Sequence, residues 1–496
     1  MSLRARLAGR LAHILSDRGP KLLRDLVSLV GGQSLSMVIG FVTFAYLARS
    51  LDTVRYGMLE YAIAIAAFAG IVIECGVGAI GVRLLGRAPG RAPELAASVP
   101  AARMLLALVV VPAVGILGGL SQDSAEARAL IWIFAISLFG VTLKQEWLLQ
   151  GTERMALAAL AQPIRTLVFA LGVLALVGPG TPLPTIGWIE LAAVAAVSAY
   201  YLVVQLRLVT RFGFNWRFGD LIRLLGEGLS VGLSNILWAF MVAAPMLMLG
   251  SLGADGHAPA HLGASQRIVL SLLTVSFLYH FNLYPVLVRK LAEDVAGWLR
   301  VVSASARLVA WGGVAVALAL SALAGPIMVA VFGPGFAAAA PVLAVLAWIF
   351  PLRLQSGHAR WSLIARGAQR RLLWAEGAGA AALVVTGLVL IPGQGALAGA
   401  IGAALALLAG ITVSAVLTQI AVVRLIGPVA VVGPSLVPLG AALAGLALVR
   451  LSGAGGPAAA ALAFGPFVLA FGFGWRPLLA DLQRIAYAKE GAAAAG

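Results

Sequence analysis

Charged side chains, cysteine and enzyme motifs are all scarce in this sequence. Only 11% of its 496 residues are charged, and its single cysteine, Cys75, excludes an intrachain disulfide. It contains no Walker-type phosphate-binding loop, no histidine, cysteine and carboxylate cluster with metal-ligand spacing, and no serine–histidine pair in a recognisable context. These absences predict a protein that is not an enzyme and holds no cofactor, and they leave coupling to a proton or sodium gradient open.

Apolar residues are abundant instead. They make up 61% of the chain, and a mean hydropathy of +1.00 is too high for a water-soluble fold of this length. Because a helix needs about 20 apolar residues to cross a bilayer, and because alternating barrel strands are absent, the sequence predicts an all-α, multi-pass membrane protein. The net charge of +16 comes mainly from arginines in alternate loops, which indicates cytoplasmic loops rather than a nucleic-acid partner.

The apolar runs predict fourteen transmembrane helices with both termini in the cytoplasm. The first twelve form two six-helix lobes, and the last two look like an appendage to that core. A break at Gly19-Pro20 ends an amphipathic N-terminal segment. The predicted boundaries are 1–25 for that segment, 26–206 for the N-terminal lobe, 207–225 for a basic cytoplasmic connector, 226–424 for the C-terminal lobe, 428–474 for the last two helices and 475–496 for a charged cytoplasmic tail.

One stretch of the sequence occurs twice. Residues 130–154 and 346–370 each read as an apolar helix that leaves through a basic, glycine-containing turn. When the two stretches are aligned without gaps, the triplet WIF occurs at the same position in both, and Lys144 aligns with Arg360. Membrane helices resemble one another in general, but the shared triplet and turn favour two related lobes with pseudo-twofold symmetry. A substrate path is then expected between them.

Four stretches resemble a known family. They are 47–65 (LARSLDTVRYGMLEYAIAI), 146–169 (EWLLQGTERMALAALAQPIRTLVF), 229–237 (LSVGLSNIL), and the pair 331–350 and 363–371 (VFGPGFAAAAPVLAVLAWIF with LIARGAQRR). In order and spacing they are similar to polysaccharide-type flippases, including O-antigen translocases, of the multidrug/oligosaccharidyl-lipid/polysaccharide (MOP) exporter superfamily. The resemblance implies lobes like those of multidrug and toxin extrusion (MATE) transporters.

The same resemblance implies a function. The protein would flip an undecaprenyl-pyrophosphate-linked oligosaccharide, an O-antigen or exopolysaccharide repeat unit, across the bacterial inner membrane by alternating access. The implied partners are this substrate, membrane lipids, a polysaccharide polymerase and a chain-length regulator. The last two helices and residues 258–264 depart from the family pattern, so the resemblance does not identify the glycan. The start lacks the arginine- and aspartate-rich pattern of peptidoglycan-precursor flippases, which disfavours lipid II.

Two other functions compete with this one. A cation-coupled multidrug exporter of the same superfamily should favour acidic residues in its cavity, whereas the intramembrane charges here lean cationic. A membrane-embedded glycan polymerase or ligase should carry a large, polar outer loop, whereas the predicted outer loops are short.

Charges inside predicted helices are the candidate site residues, because an unpaired charge in hydrocarbon normally faces a cavity or a partner. Arg353 is the leading candidate, since it lies about 18 Å along its helix at about 1.5 Å per residue and its planar guanidinium suits phosphate oxygens. A structural pair with Glu74 is the alternative. Arg267 and Arg165 either line the cavity or reach the headgroups.

The remaining candidates have equally open roles. Lys144 and Arg360 either receive the pyrophosphate together or anchor their helices on the cytoplasmic side. Glu74 and His280 are ion-coupling candidates, although a salt bridge for Glu74 and a hydrogen bond between helices for His280 are the alternatives. Gln33 and Asn235 either bind sugar hydroxyls or join helices. No metal site is predicted.

Overall fold

The computed structural model describes residues 19–208, 213–252, 256–428, 432–454 and 456–493. Within these ranges the regular structure is helical, without strands. Fourteen helical segments are long and apolar enough to cross a membrane, which confirms the predicted fold class and helix number. Residues 1–18, most of the predicted amphipathic segment, lie outside the described residues, and the first described helix spans Gly19–Ser50.

The described chain forms two compact units. The first unit holds the residues up to Leu51 and Ile65–Ile236, and the second holds Asp52–Ala64 and the residues from Leu237 onward. The helices of the first unit are α1 (Gly19–Ser50), α2 (Thr53–Glu74), α3 (Val77–Arg87), α4 (Ala92–Leu120), α5 (Ala125–Ser137), α6 (Phe139–Thr142), α7 (Glu146–Gly151), α8 (Met155–Leu176), α9 (Leu183–Leu208) and α10 (Phe218–Ser251). Of these, α2 and α10 each contribute to both units.

The second unit continues to the end of the described chain. Its other helices are α11 (His257–Glu293), α12 (Val295–Ala322), α13 (Ala324–Phe332), α14 (Ala340–Leu346), α15 (Ile349–Ala365), α16 (Gln369–Leu390), α17 (Ala396–Leu425), α18 (Val432–Ser452) and α19 (Gly456–Ala493). These units differ from the predicted lobes 26–206 and 226–424, since one boundary falls between α1 and α2, two fall inside α2 and α10, and none falls in the connector 207–225.

Small residues explain why the start of α2 belongs to the second unit. A Cβ atom at Gly57 would meet the Gly256 carbonyl oxygen at 2.9 Å. A Cβ at Gly250 would meet the Tyr61 ring at 2.2 Å, and one at Gly263 would meet the Glu60 side chain at 2.5 Å. Glycines permit this close approach of helices. Residues 52–64 therefore pack against the end of α10 and the start of α11.

The predicted second span, 57–82, is interrupted in the structure. Its two helices, α2 and α3, meet at Cys75 (φ 45°) and Gly76 (φ 71°), both left-handed. A Cβ at Gly76 would lie 2.5 Å from the Gly228 carbonyl oxygen and 2.7 Å from the Gly232 nitrogen of α10. The break therefore needs a glycine for its conformation and again for its contact with α10.

The two copies of the repeated stretch differ in local geometry. The first, predicted as one helix over 128–150, is divided into α5, α6 and α7. The second, predicted over 338–364, consists of α14 and α15 after a 3-10 turn at Pro334–Ala339. The interruptions fall at different positions of the repeat, so the sequence similarity does not extend to the helix breaks.

The last two helices are part of the second unit rather than an appendage. Arg307 of α12 donates two hydrogen bonds to Asp481 of α19, at 2.6 and 2.7 Å, and Asp481 is 1% exposed. Trp311 stacks edge-on against Phe467 at 5.3 Å. The helix α19 continues beyond the predicted tail boundary at 475 to Ala493, and Asp481 of the predicted tail is held by its arginine partner.

The contact between α16 and α17 yields a stability prediction. A Cβ at Gly379 would lie 2.6 Å from the Gly410 carbonyl oxygen, whereas a Cβ at Gly377, on the same helix, would meet no atom within 4 Å. Alanine raises helix propensity at both positions by up to about 1 kcal/mol, but overpacking at Gly379 should cost about 1–3 kcal/mol. We expect Gly379→Ala to lower the melting temperature in detergent and Gly377→Ala to leave it equal or raise it. Equal shifts would contradict this packing.

Candidate functional site

Glu74 is the last residue of α2 and forms an ion pair. Arg103 of α4, with 2% of its side chain exposed, contacts the Glu74 carboxylate at 2.6 Å and donates a second hydrogen bond to the Lys144 carbonyl. The Gly78 backbone N–H also donates to Glu74, at 3.2 Å. This network spans the break between α2 and α3. Glu74 is therefore the partner of Arg103 and not of Arg353.

Arg165 and Lys144 also have carboxylate partners in the first unit. Arg165 of α8 pairs with Glu190 of α9, which is 6% exposed. Lys144 lies between α6 and α7, where it is exposed and contacts Glu146 at 3.1 Å. The Arg165 pair fixes α8 to α9, whereas the Lys144 pair is exposed and contributes little to stability.

Arg267 and Arg360 form buried pairs in the second unit. Arg267 of α11 donates two hydrogen bonds to Glu60 of α2, at 2.7 and 2.9 Å. Arg360 of α15 pairs with Glu376 of α16, which is 2% exposed. Arg360 therefore differs in environment from Lys144, its counterpart in the repeat, and the two belong to different units.

Arg353 differs from the other deep arginines. In the described part of the chain, five arginines lie at least ten residues inside candidate transmembrane segments: Arg103, Arg165, Arg267, Arg307 and Arg353. The first four pair with carboxylates. Arg353 of α15 is half-buried, and its guanidinium carbon lies 4.1 Å from the ring centroid of Trp238. Among the described side chains it has no carboxylate partner.

A narrow cavity is lined in part by Trp238, the residue that Arg353 contacts. Trp238 and Val242 of α10 line it together with Gln266 of α11 and apolar residues of α11, α14, α15 and α17. Gln266 donates a hydrogen bond to the Val242 carbonyl at 3.4 Å. The cation–π contact holds the Arg353 side chain against Trp238, a lining residue of this cavity, without cancelling its charge.

His280 is buried in the same unit and has a partner that sequence reasoning missed. It is 1% exposed, as is His358, and the two ring centroids lie 4.9 Å apart. In contrast, Gln33 and Asn235 have exposed side chains and make no hydrogen bond to a described residue. The helix-joining alternative for these two amides is therefore wrong within the described part of the chain, and their sugar contacts stay a prediction.

Several residues of these networks were not predicted. Trp238, His358 and the carboxylates Glu60, Glu190 and Glu376 were all overlooked. The carboxylates carried a usable signal, because an acidic residue inside an apolar run needs a cationic partner just as an arginine does. Trp238 carried no comparable signal, since an aromatic residue within an apolar helix is ordinary core composition.

The sequence also matches a characterised family. A profile of the family described as "Polysaccharide biosynthesis protein" matches residues 22–291, more than half of the chain. The chain belongs to this family. The predicted relationship to polysaccharide-type flippases is thereby confirmed. No curated protein matches the chain.

Solved structures share the fold of this family member at low identity. The lipid II flippase MurJ in an inward closed conformation has a TM-score of 0.68 and 13% identity, over 91% of this chain and 99% of that one. An inward-facing multidrug resistance MATE family transporter of the MOP superfamily has a TM-score of 0.60 and 14% identity, over 78% and 95%. The eukaryotic MATE transporter AtDTX14 has a TM-score of 0.51 and 13% identity, over 84% and 96%. The chain is thus a multi-pass membrane protein with the fold of these transporters.

The Glu60–Arg267 pair yields a second stability prediction. Glu60→Gln leaves the Arg267 charge without its partner, and breaking a buried pair in this way costs about 3–5 kcal/mol. Replacing both residues by glutamine removes both charges, so the double variant should unfold at a higher temperature than Glu60→Gln. Glu94→Gln, which breaks an exposed pair with Arg91, should cost under about 1 kcal/mol. Thermal unfolding in detergent measures all three, and a double variant no more stable than Glu60→Gln would contradict the pairing.

Proposed function

We propose that this protein flips a lipid-linked oligosaccharide across a bacterial inner membrane and receives its pyrophosphate at Arg353. The family match and the fold shared with MurJ, a lipid II flippase by name, support this class of substrate. The observation that carries the proposal is the Arg353 guanidinium, which lies on Trp238 without a carboxylate partner among the described residues.

The chemistry of the substrate class fits such a cation. A lipid-linked sugar combines an anionic pyrophosphate with a polar glycan and a long polyprenyl chain. A guanidinium offers a planar fork of donors that matches two phosphate oxygens. An arginine that keeps its full charge inside a transmembrane segment costs free energy in the absence of an anion. Binding of the pyrophosphate would offset this cost.

The paired arginines are less suited to this role. Arg267 already uses two of its donors on Glu60, and Arg360 faces a buried carboxylate. A pyrophosphate would have to displace these carboxylates and leave them buried without a partner. We therefore assign a structural role to the pairs of Arg103, Arg165, Arg267 and Arg360, and a binding role to Arg353.

The finer parts of the proposal follow the family resemblance. The substrate would be an undecaprenyl-pyrophosphate-linked O-antigen or exopolysaccharide repeat unit, and transport would proceed by alternating access. A polymerase and a chain-length regulator would act on the product. The arginine-rich loops would face the cytoplasm together with both termini.

Arg353 can be tested by transport in proteoliposomes. A fluorescent undecaprenyl-pyrophosphate oligosaccharide is incorporated with purified protein, and a membrane-impermeant quencher reports its leaflet. The wild-type protein should accelerate crossing over protein-free vesicles. We expect Arg353→Ala to lower the rate at least about tenfold, which corresponds to about 1.4 kcal/mol. The rate of Arg353→Lys should lie between those of the wild-type protein and Arg353→Ala, because lysine keeps the charge but lacks the planar fork of donors.

The matched control is Arg366→Ala. Arg366 is exposed at the end of the same helix, so its loss should leave the rate unchanged. A wild-type rate for Arg353→Ala would remove this residue from the mechanism. Failure to move several lipid-linked glycans, together with efflux of cationic dyes, would replace the proposal with the multidrug exporter.

A further inference from the structure

The segment that leads into α10 exposes aromatic, aliphatic and basic side chains together. Trp216 is 47% exposed, Phe218 61% and Ile222 63%, and Arg217 and Arg223 are exposed as well. We refer to these five residues as the connector surface. All of them belong to the first unit. An apolar patch that stays exposed between charged residues commonly marks an interaction site.

The connector surface is held in place by contacts with α4. The Asn215 backbone N–H donates to the Ala97 carbonyl at 3.1 Å, and the Asn215 side-chain amide donates to the Ser98 hydroxyl at 3.2 Å. Phe214 packs against a buried cluster formed by α3, α4, α7 and α10. Its ring stacks on Trp216, with 5.7 Å between the centroids. Phe214 therefore anchors the segment, and Trp216 is left on the outside.

These contacts define the level of the connector surface relative to a bilayer. Ala97 lies about 35 Å along α4 from Leu120, the other end of that helix, at about 1.5 Å per residue. The hydrocarbon core of a bilayer is about 30 Å thick, and the bilayer with its headgroups about 40–45 Å. With Leu120 at the far edge of the hydrocarbon, Asn215 lies in the headgroup layer. Leu221 of α10 belongs to the same buried cluster as Leu95 of α4, so the first turns of α10 lie at this level too.

The exposed apolar face of α10 continues from the connector surface into the transmembrane segment. Phe218, Ile222, Leu229 and Leu233 are all exposed. They recur at intervals of four or seven residues, which places them on one face of the helix. Leu233 lies within the candidate transmembrane segment Val231–Ser251, where exposed apolar side chains are expected to contact acyl chains. The connector surface is therefore the headgroup end of a lipid-facing stripe.

The arginines of the connector surface are not neutralised by neighbouring carboxylates. Arg217 and Arg223 make no ion pair with a described residue, and neither does Asp220, which lies between them in the sequence. The charged residues within 77–98 and 213–228 are Arg83, Arg87, Arg91, Arg217, Arg223, Glu94, Asp220 and Glu227. Positive charge therefore exceeds negative charge around the connector surface. This surplus complements an anionic lipid headgroup.

We propose that the connector surface binds the headgroup of an anionic phospholipid. Arg217 and Arg223 donate to the phosphate oxygens. Trp216 lies among the headgroups, as tryptophan does at membrane interfaces, and the apolar side chains contact the adjoining ends of the acyl chains. A lipid fits this surface better than a water-soluble protein does, because such a protein would have to enter the headgroup layer to reach it. The proposal does not depend on which substrate the protein transports.

Quenching of Trp216 fluorescence can measure this binding on the whole purified protein in nanodiscs. The bilayer is phosphatidylcholine with a minor fraction of phosphatidylglycerol or phosphatidylcholine that is brominated near the headgroup. The Trp216 emission is the difference between the wild-type protein and Trp216→Phe. We expect brominated phosphatidylglycerol to quench this emission more than brominated phosphatidylcholine at the same mole fraction. Added salt should reduce the difference, because it screens the attraction between exposed charges.

Substitution of the two arginines should remove this preference. An arginine near an anionic surface contributes about fivefold to association, so Arg217→Ala/Arg223→Ala should lower the apparent affinity for phosphatidylglycerol about thirtyfold. Arg217→Lys/Arg223→Lys keeps both charges and should keep most of the preference. The matched control is Arg366→Ala/Arg370→Ala, which removes two exposed arginines of the second unit. This control should behave as the wild-type protein does.

Four results would overturn the proposal. Equal quenching by the two brominated lipids would remove the preference for an anionic headgroup, and no quenching by either would place Trp216 outside the bilayer. An equal loss of preference in the two double alanine variants would assign the effect to the net charge of the protein. Displacement of brominated phosphatidylglycerol by a stoichiometric amount of geranylgeranyl pyrophosphate would assign the arginines to a polyprenyl pyrophosphate instead.

Discussion

The free-energy cost of a charge in hydrocarbon determines much of this structure. Arginines placed deep in transmembrane segments recruit carboxylates from other helices, as Arg103 does with Glu74 and Arg307 with Asp481. Each pair constrains which helices are neighbours, because separating its partners would leave two charges without compensation. Charged side chains therefore specify helix pairing in a chain whose apolar surfaces are too similar to do so.

The Glu60–Arg267 pair illustrates how this constraint acts over a long separation in sequence. Its residues lie 207 positions apart, yet both belong to the second unit. Glycines at 57, 250 and 263 allow the backbones to approach closely enough for the pair to form. Together the charge pair and the small residues explain why part of α2 leaves the predicted N-terminal lobe. The compact units consequently differ from the predicted lobes at their boundaries, although each copy of the repeated stretch lies in a unit of its own.

The sequence predicted the features that depend on local composition. It did not predict the features that depend on contacts with residues distant in the chain. Long apolar runs predicted the fourteen helices, and the four family-like stretches indicated the family. The break at Cys75-Gly76 was missed because it depends on Gly228 and Gly232 of another helix. Asp481 was assigned to a tail because its partner, Arg307, lies 174 residues away. Hydropathy describes how apolar a helix is, but it does not describe which neighbour its charged residues face.

The relative strength of the interactions distinguishes a binding arginine from a structural one. A cation–π contact contributes about 0.5–2 kcal/mol, whereas breaking a buried ion pair costs about 3–5 kcal/mol. An incoming pyrophosphate could therefore recruit Arg353 from Trp238 at little cost, but it would lose most of its binding free energy in displacing Glu60 from Arg267. A carrier of the proposed kind must also release its substrate, and Trp238 would offer the cation an alternative partner once the anion had left. Arg353 is suited to reversible anion binding because its interaction in the free protein is favourable but weak.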